Sequence, residues 1–309
     1  MNFGGAAFHS GLRTVICSWH YLFVSGFSLF TSLYIKSSHI YLHHTFIGFF
    51  ILVYSILFFR IFIYSNSLLG FLMEFDFHNT NSSVPADISD NTLTPVEKEQ
   101  GWKLLFDGSS ISEFRNFKKE TVGSAWIIDD NSIHLNAIKD PNGGWQVADG
   151  GDIMTKAEYE NFDLKLEWKI SNCGNSGIIF NAVEADSFDH VWQTGPEMQI
   201  LDNTCHPDTR FVTHRAGDLY DMIETKYVTV NPAGDWNKIR IISKDGHVQF
   251  YQNGYEVVDF QMHNDEWLER IKNSKFHEMP SFGLAKKGHI ALQDHGNKVW
   301  FKNIKIREL

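Results

Sequence analysis

Short apolar runs of four to eight residues recur from Trp102 to the C-terminus, with clusters of glycine, asparagine, aspartate and proline between them. Runs of this length are typical of β-strands, whereas a β/α fold would need longer amphipathic segments between the strands. The run FDLKLEWKI alternates along its length, placing Leu164, Leu166 and Trp168 on one face and charged residues on the other. The pattern predicts an all-β fold, an antiparallel β-sandwich of the jelly-roll type, over residues 101–309.

Two local signals refine this prediction. Asn253 and Gly254 lie between the runs HVQFYQ and YEVVDFQ and suit the positive φ angles of a tight hairpin turn. The stretch NDEWLERIKNSKF has helical rather than alternating spacing. Its apolar stripe consists of Trp267, Leu268, Ile271 and Phe276. We therefore expect one short helix packed on the edge of the sandwich.

The first 75 residues are almost free of charge. Two uncharged stretches, 14–35 and 37–59, are each long enough to cross a bilayer core of about 30 Å, which needs about 20 residues. They predict an apolar N-terminal membrane segment within residues 1–75. An export leader, or a start encoded upstream of the true one, would explain the same pattern.

Residues 76–100 are rich in asparagine, serine, threonine, aspartate and proline and show hardly any apolar periodicity. This composition indicates a polar linker between the apolar segment and the sandwich. The expected location is the cell envelope, with the protein either anchored in a membrane or exported to the periplasm or outer surface.

The charge balance limits the partners. The chain has a formal net charge of -10 at pH 7, and Glu74 is the only acidic residue among the first 75. Nucleic-acid binding usually needs a basic stripe that displaces counterions from the phosphates. We therefore expect no nucleic-acid partner.

The cysteines and acidic side chains form no recognisable metal motif. Cys173 and Cys205 lie outside the apolar segment and belong to no CxxC or cysteine–histidine zinc spacing. An oxidising compartment would allow them to pair, but we expect them to be unpaired. Asp202, His206 and Asp208 likewise match no metal spacing, so we expect neither a metal nor a cofactor.

Two predicted strands carry polar side chains on one face. In PEMQIL, Glu197 and Gln199 alternate with apolar residues, and in GHIALQDHG, Gln293 and His295 do the same. If these faces adjoin, the four groups converge with Glu167 on one surface, where Glu197 and His295 could transfer protons. A polar strand face is more often simply solvated, so the pattern alone leaves both interpretations open.

The loop THRAGDLYDMI is the next candidate. His214, Arg215 and Tyr220 lie there between two predicted strands, and such groups beside a sheet suit the recognition of hydroxyl and carbonyl oxygens. A surface ion pair between Arg215 and Asp218 that closes a turn would explain part of the same pattern.

Two tryptophans are candidates for stacking on sugar rings. Trp145 lies in the loop PNGGWQVADGGD, and Trp192 precedes the strand that carries Glu197. Most of the other tryptophans occupy inward strand positions and are expected in the core. Asp202, which directly follows PEMQIL, completes the substrate-binding candidates.

Seven ordered blocks follow from residue 101 onward: GWKLLFDG, GGDIMTKAEYENFDLKLEWKI, GNSGIIFN, GPEMQILDN, HRAGDLYDMI, DWNKIRI and GHIALQDHGNKVWFKNIKIREL. Together they resemble the 3-keto-disaccharide hydrolase domain family, particularly its Bacteroidetes-like members. The resemblance covers Gly101 to Leu309 and implies a concanavalin- or laminarinase-like jelly roll.

The resemblance also implies a substrate whose C3 hydroxyl has been oxidised to a ketone by an upstream glycoside 3-oxidoreductase. A C3 carbonyl acidifies the C2 proton, so a base can remove it, donors can stabilise the enolate, and the aglycone can leave from C1. Addition of water then makes the net result hydrolysis. From the strand faces we place the base on Glu197 or His295 and the donors on Arg215, Gln199 and Gln293.

Two other functions stay open. One is a non-catalytic sugar-binding module of the same shape, and the other is a conventional glycoside hydrolase with two carboxylates. Laminarinases carry an ExDxxE strand, whereas the comparable strand here has Gln199 in place of the middle carboxylate. This difference disfavours the conventional mechanism, which needs a pair of acids.

Overall fold

The computed structural model describes residues 89–138 and 145–309. The apolar segment predicted over residues 1–75 and most of the predicted linker lie outside these residues. Among the described residues, no helix combines the length and the apolar character that crossing a membrane requires.

The β-strands form two sheets. The larger sheet has eight strands: β1 (Lys103–Leu104), β3 (Trp126–Asp129), β4 (Ser132–Leu135), β6 (Phe162–Ile170), β9 (Asn237–Lys244), β10 (His247–Gln252), β11 (Tyr255–Gln261) and β13 (Val299–Glu308). The smaller sheet has five strands: β2 (Phe114–Asn116), β5 (Ile153–Thr155), β7 (Asn175–Ala182), β8 (Glu197–Leu201) and β12 (His289–Leu292).

All strand pairs in these sheets are antiparallel. The order is β11-β10-β9-β6-β13-β4-β3 in the larger sheet, where β1 also pairs with β13, and β2-β5-β12-β7-β8 in the smaller sheet. The hairpin from β10 to β11 turns at Asn253 and Gly254, whose φ angles are 51° and 89°. The predictions of an all-β antiparallel sandwich and of this turn are confirmed.

The hydrophobic core lies between the two sheets. The ring of Phe180 on β7 lies 6.3 Å from that of Phe162 on β6 and 6.0 Å from that of Phe250 on β10. The alternation in β6 buries Leu166 and Trp168 in this core. Because the core faces of the sheets face each other, their polar faces lie on opposite outer surfaces of the sandwich.

Residues 89–100, which the sequence assigns to the linker, pack on the sandwich. Asn91 and Asn303 of β13 exchange hydrogen bonds, Asn91 N–H donating to Oδ1 of Asn303 and Asn303 N–H donating to Oδ1 of Asn91. A short helix, α1 (Pro95–Glu99), follows, with Thr94 and Glu97 forming a capping box. Capping and these side-chain bonds explain why a segment without apolar periodicity folds here.

A second helix, α2 (Asp265–Lys272), occupies the predicted helical stretch. The Asn264 side chain caps it by accepting the N–H of Trp267, whose indole is buried. Leu268, assigned to the same stripe, is exposed, because the next residue of a helix lies about 100° around the axis. The described residues also contain short 3-10 helices at Val191–Gln193, Pro207–Arg210 and Lys275–Glu278.

Cys173 and Cys205 form a disulfide, which corrects the expectation that they are unpaired. Their Cα atoms lie 5.0 Å apart, within the range that a disulfide bridges. The two cysteines are 32 residues apart in sequence, so the pairing is not visible locally. It arises because β7 and β8 pair antiparallel, with Asn175 opposite Leu201, which brings the residues before β7 beside those after β8.

Candidate functional site

A cavity of about 210 Å³ opens on the outer face of the five-stranded sheet, and we call it the Glu197 cavity. It brings together the four polar residues expected from the faces of two strands. Its lining comprises Trp145, Asn175, Trp192, Glu197, Gln199, Tyr220, Lys275, Phe276, Gln293 and His295.

Strand alternation explains why the central groups point the same way. On β8, Met198 and Ile200 enter the core, so Glu197 and Gln199 lie on the opposite face. β7 lies between β8 and β12, and the backbone N–H of Gln293 donates to the carbonyl of Gly177 on β7. The polar ends of β8 and β12 therefore lie on either side of one strand.

Gly177 makes room for the carboxyl group of Glu197. A Cβ atom at position 177 would overlap Oε1 of Glu197 and would come within 2.6 Å of Cδ and 2.8 Å of Cγ. No larger residue fits without displacing this side chain. The missing side chain on the neighbouring strand is therefore what allows the carboxyl to lie across β7.

Burial sets the acidity of Glu197. Its side chain is almost completely buried, and burial raises its pKa well above the ordinary carboxyl range. The charge of Lys275 opposes this shift, and that of Asp152 adds to it. No described residue donates a hydrogen bond to the Glu197 carboxyl. A carboxyl in this state is a stronger base than a solvated one once it has lost its proton.

Lys275 supplies positive charge to the same cavity, and the sequence analysis did not identify it. Its ammonium lies 4.0 Å from the centroid of the Tyr220 ring, and its backbone N–H donates to Oδ2 of Asp221 at 2.6 Å. Burial lowers the pKa of Lys275. Burial also raises the pKa of the Tyr220 phenol, and the negative charge of Glu197 raises it further. The phenol is therefore a neutral hydrogen-bond donor at physiological pH.

His295 lies at the other side of the cavity within a row of rings. Burial lowers its pKa, and so does the neighbouring charge of His206, which favours the neutral imidazole. The Trp145 ring lies 5.4 Å from His295 and 5.7 Å from His190. His190 in turn stacks on Trp192 at 5.0 Å. The two predicted stacking tryptophans thus lie on one wall of the site.

Amide groups complete the polar lining. Oε1 of Gln199 accepts the N–H of Ile200. Oδ1 of Asn175 and Oε1 of Gln293 are buried without a hydrogen-bond partner among the described residues. Buried polar atoms normally find a partner, so such atoms in a cavity wall suit a ligand with donor groups. Asn175 was missed because its strand, NSGIIFNA, shows no polar alternation.

The structure places two candidates from the loop THRAGDLYDMI outside the cavity lining. Arg215 donates from Nε to the carbonyl of Thr209, and its backbone N–H bonds Oδ2 of Asp218. The guanidinium is therefore held by the 3-10 helix Pro207–Arg210, which precedes the loop. His214 does not line the cavity but packs against Tyr220, which does: its ring lies 4.4 Å from that of Tyr220, and its Nε2 contacts Oδ1 of Asp221 at 2.8 Å.

Glu167 and Asp202 also lie away from the cavity. Glu167 belongs to β6 of the larger sheet and accepts a hydrogen bond from Asn303 at 3.1 Å, so its expected convergence with Glu197 is corrected. The polar faces of the two sheets are on opposite sides of the sandwich. Asp202 accepts the backbone N–H groups of Cys173 and Thr204, at 2.8 and 2.9 Å, and so stabilises the turn near the disulfide.

The similarity of this chain to known proteins covers nearly all of the β-sandwich. The model of the 3-keto-alpha-glucoside-1,2-lyase-like domain family matches residues 101–307. The 3-keto-disaccharide hydrolase of Bacteroides thetaiotaomicron is 33% identical over 250 residues, which cover 74% of this chain and 85% of that protein.

Two solved structures from Parabacteroides distasonis, both provisionally described as glycosyl hydrolases, share the fold. One is 33% identical with a TM-score of 0.64, over 72% of this chain and all of the other. The second is 26% identical with a TM-score of 0.50, over 67% of this chain and 99% of the other. The elements that carry the Glu197 cavity lie within the range that the family model covers.

Proposed function

The chain belongs to the 3-keto-alpha-glucoside-1,2-lyase-like domain family and is a glycosidic-bond-cleaving enzyme, and we propose that its substrates are glycosides with a ketone at C3. In this proposal Glu197 removes the proton at C2 and the bond from C1 to the aglycone oxygen then breaks. The reaction is an elimination, and addition of water makes it a net hydrolysis.

One observation carries the proposal. Among the described residues that line the cavity, Glu197 is the sole carboxyl, it is buried, and Lys275 shares the cavity with it. A single base beside a cation suits deprotonation next to a carbonyl, because the base takes the proton and the cation stabilises the enolate. Conventional glycosidases need two acids flanking the scissile bond.

The Glu197 carboxylate takes the C2 proton, and the electron pair of that bond moves into an enolate whose oxygen is the former C3 carbonyl oxygen. Lys275 and the Tyr220 hydroxyl stabilise this oxygen. The enolate then collapses, a C1–C2 double bond forms, and the aglycone oxygen leaves with the electrons of its bond to C1.

Protons are conserved in the second half of the reaction. The departing aglycone oxygen takes up the proton that Glu197 removed from C2, which regenerates the Glu197 carboxylate. The neutral His295 ring can relay this proton, because one ring nitrogen accepts while the other donates. Water then adds across the double bond, with its hydroxyl going to C1 and its proton to C2, which yields a free 3-keto sugar.

In this proposal a glycoside 3-oxidoreductase acts first, because it makes the 3-keto-glycoside that the Glu197 cavity then cleaves.

We propose that the protein works in the cell envelope, exported or held at a membrane by its apolar N-terminus. The Cys173–Cys205 disulfide supports an oxidising compartment, because disulfides are rare in reducing ones.

The test compares two substrates that differ only at C3. The purified full-length chain is offered a 3-keto-glucoside and its unoxidised parent with the same aglycone, and aglycone release is followed. Release from the keto sugar alone supports the proposal. Turnover of the parent would instead indicate a conventional hydrolase, and binding without turnover of either would indicate a sugar-binding module.

A further inference from the structure

A second cavity, of about 360 Å³, adjoins the Glu197 cavity and shares Trp145 with it. We call it the Asp152 cavity. Gln146, Asp152 and Asp189 lie in its lining, together with His190. None of these four residues lines the Glu197 cavity, so the second cavity adds a separate set of polar groups beyond Trp145.

Hydrogen bonds join the walls of the two cavities. Oδ1 of Asp152 accepts the backbone N–H of Asp294 at 2.9 Å, and Asp294 lies between Gln293 and His295 of the Glu197 cavity. Oδ2 of Asp294 in turn accepts the N–H groups of Val147 and Gly151 at 2.9 and 2.7 Å. The segment that follows Trp145 is thus held against the segment that carries His295.

The row of rings also continues from one cavity into the other. Trp192 and His295 line the Glu197 cavity, His190 lines the Asp152 cavity, and Trp145 lines both. The Trp145 side chain is 45% exposed. Exposed indole rings offer a flat apolar surface, which suits contact with the apolar faces of sugar rings.

The chemistry of the Asp152 cavity suits a ligand rich in hydroxyl groups. The Asp152 side chain is only 4% exposed, and burial raises its pKa to about 7. Oδ1 bonds Asp294 and lies 3.4 Å from Nε2 of Gln146, whereas no described residue bonds Oδ2. A hydroxyl donor from a ligand would satisfy this oxygen, and hydrogen bonds that involve charged groups are among the stronger ones.

We propose that the Asp152 cavity is the leaving-group subsite of this enzyme and binds a polyhydroxylated ring, the second sugar of a 3-keto-disaccharide. The keto ring occupies the Glu197 cavity, and the scissile bond lies beside Trp145, where the two cavities meet. The inference rests on the proposed function, which places the reacting C1 and C2 atoms near Glu197.

The test blocks the Asp152 cavity without altering the lining of the Glu197 cavity. Gln146→Trp and Asp189→Trp introduce bulk from two different segments, and the exposed Asp189 makes the second variant the one least able to disturb folding. For each, kcat/KM is measured on a 3-keto-disaccharide whose second ring is glucose and on the methyl 3-keto-glucoside of the same anomeric configuration.

We expect the ratio of the two kcat/KM values, disaccharide over methyl glycoside, to fall at least about tenfold in both variants. Leu268→Trp, on the exposed face of α2, is the matched control and should keep the wild-type ratio. An unchanged ratio in a folded Asp189→Trp variant would overturn the subsite while leaving the proposed function standing. If wild-type protein cleaves neither keto substrate, the proposed function fails and the subsite with it.

Discussion

Gly177 on β7 and Glu197 on β8 fit together so closely that the Glu197 carboxyl occupies the space of the side chain that Gly177 lacks. The two residues are not directly paired, since Gly177 lies opposite Gln199 and Glu197 opposite Ile179. The side chain of Glu197 therefore reaches along the neighbouring strand, and the position of the proposed base depends on a residue without a side chain.

Gly177→Ala should displace the Glu197 carboxyl and lower kcat/KM on a 3-keto-glucoside by roughly 10²-fold, because a small misplacement of a reacting group is enough for such a loss. It should also lower the free energy of unfolding, measured by chemical denaturation. The double variant Gly177→Ala/Glu197→Ala should recover that stability relative to Glu197→Ala, because the overlap is gone. Additive stability losses would show that the overlap does not exist.

Glu197→Gln should reduce kcat/KM on the keto substrate by roughly 10²- to 10⁴-fold, since the amide cannot accept the C2 proton. In the wild type, kcat/KM should rise with pH as Glu197 ionises, and this limb should lie above the ordinary glutamate pKa of about 4.3, because burial raises the pKa of Glu197. A wild-type rate that does not change with pH above about 5 would contradict the role of a buried base.

The same substitution should change how stability depends on pH. A raised pKa means that the folded protein binds more protons than the unfolded chain between the unfolded and folded pKa values, so stability falls as pH rises through that window. Above the folded pKa the cost is constant. The unfolding free energy of Glu197→Gln, measured from pH 4 to 9, should lack this decline. If the wild type and the variant gave parallel curves of unfolding free energy against pH, the prediction would be wrong.

Lys275→Met should lower kcat on the keto substrate, because the enolate would lose the cation that stabilises it. It should also move the acid limb of the pH profile to higher pH, since the charge of Lys275 lowers the pKa of Glu197. Lys275→Arg keeps the charge and should recover part of both effects. If Lys275→Met has the wild-type pH profile, its charge does not act on Glu197.

Cys205→Ser should lower the free energy of unfolding by roughly 2–4 kcal/mol, because the disulfide with Cys173 restricts the unfolded chain. Denaturation of the wild type with and without a reductant is the matched comparison, and the reduced wild type should resemble the variant. A wild type whose unfolding is insensitive to reductant, and in which Cys173 and Cys205 both react as free thiols, would show that the bond does not form.

The site could be predicted from the sequence where the information is local. Alternation along β8 and β12 places Glu197, Gln199, Gln293 and His295 on outward faces, because side chains of a strand point to opposite sides in turn. Their meeting required one further fact, that a single strand, β7, separates β8 from β12. The assignment of Glu167 failed at this step, since the same alternation in β6 serves the other sheet.

The amino-acid sequence by itself determined the alternating faces of β6, β8 and β12 and the hairpin turn at Asn253 and Gly254, because each depends on neighbouring residues. The tertiary structure alone decided that Lys275 lies in the cavity of Glu197 and that Cys173 meets Cys205. These contacts join segments that are far apart along the chain. They depend on which strands pair and which loops pack over them, and no local periodicity carries that information.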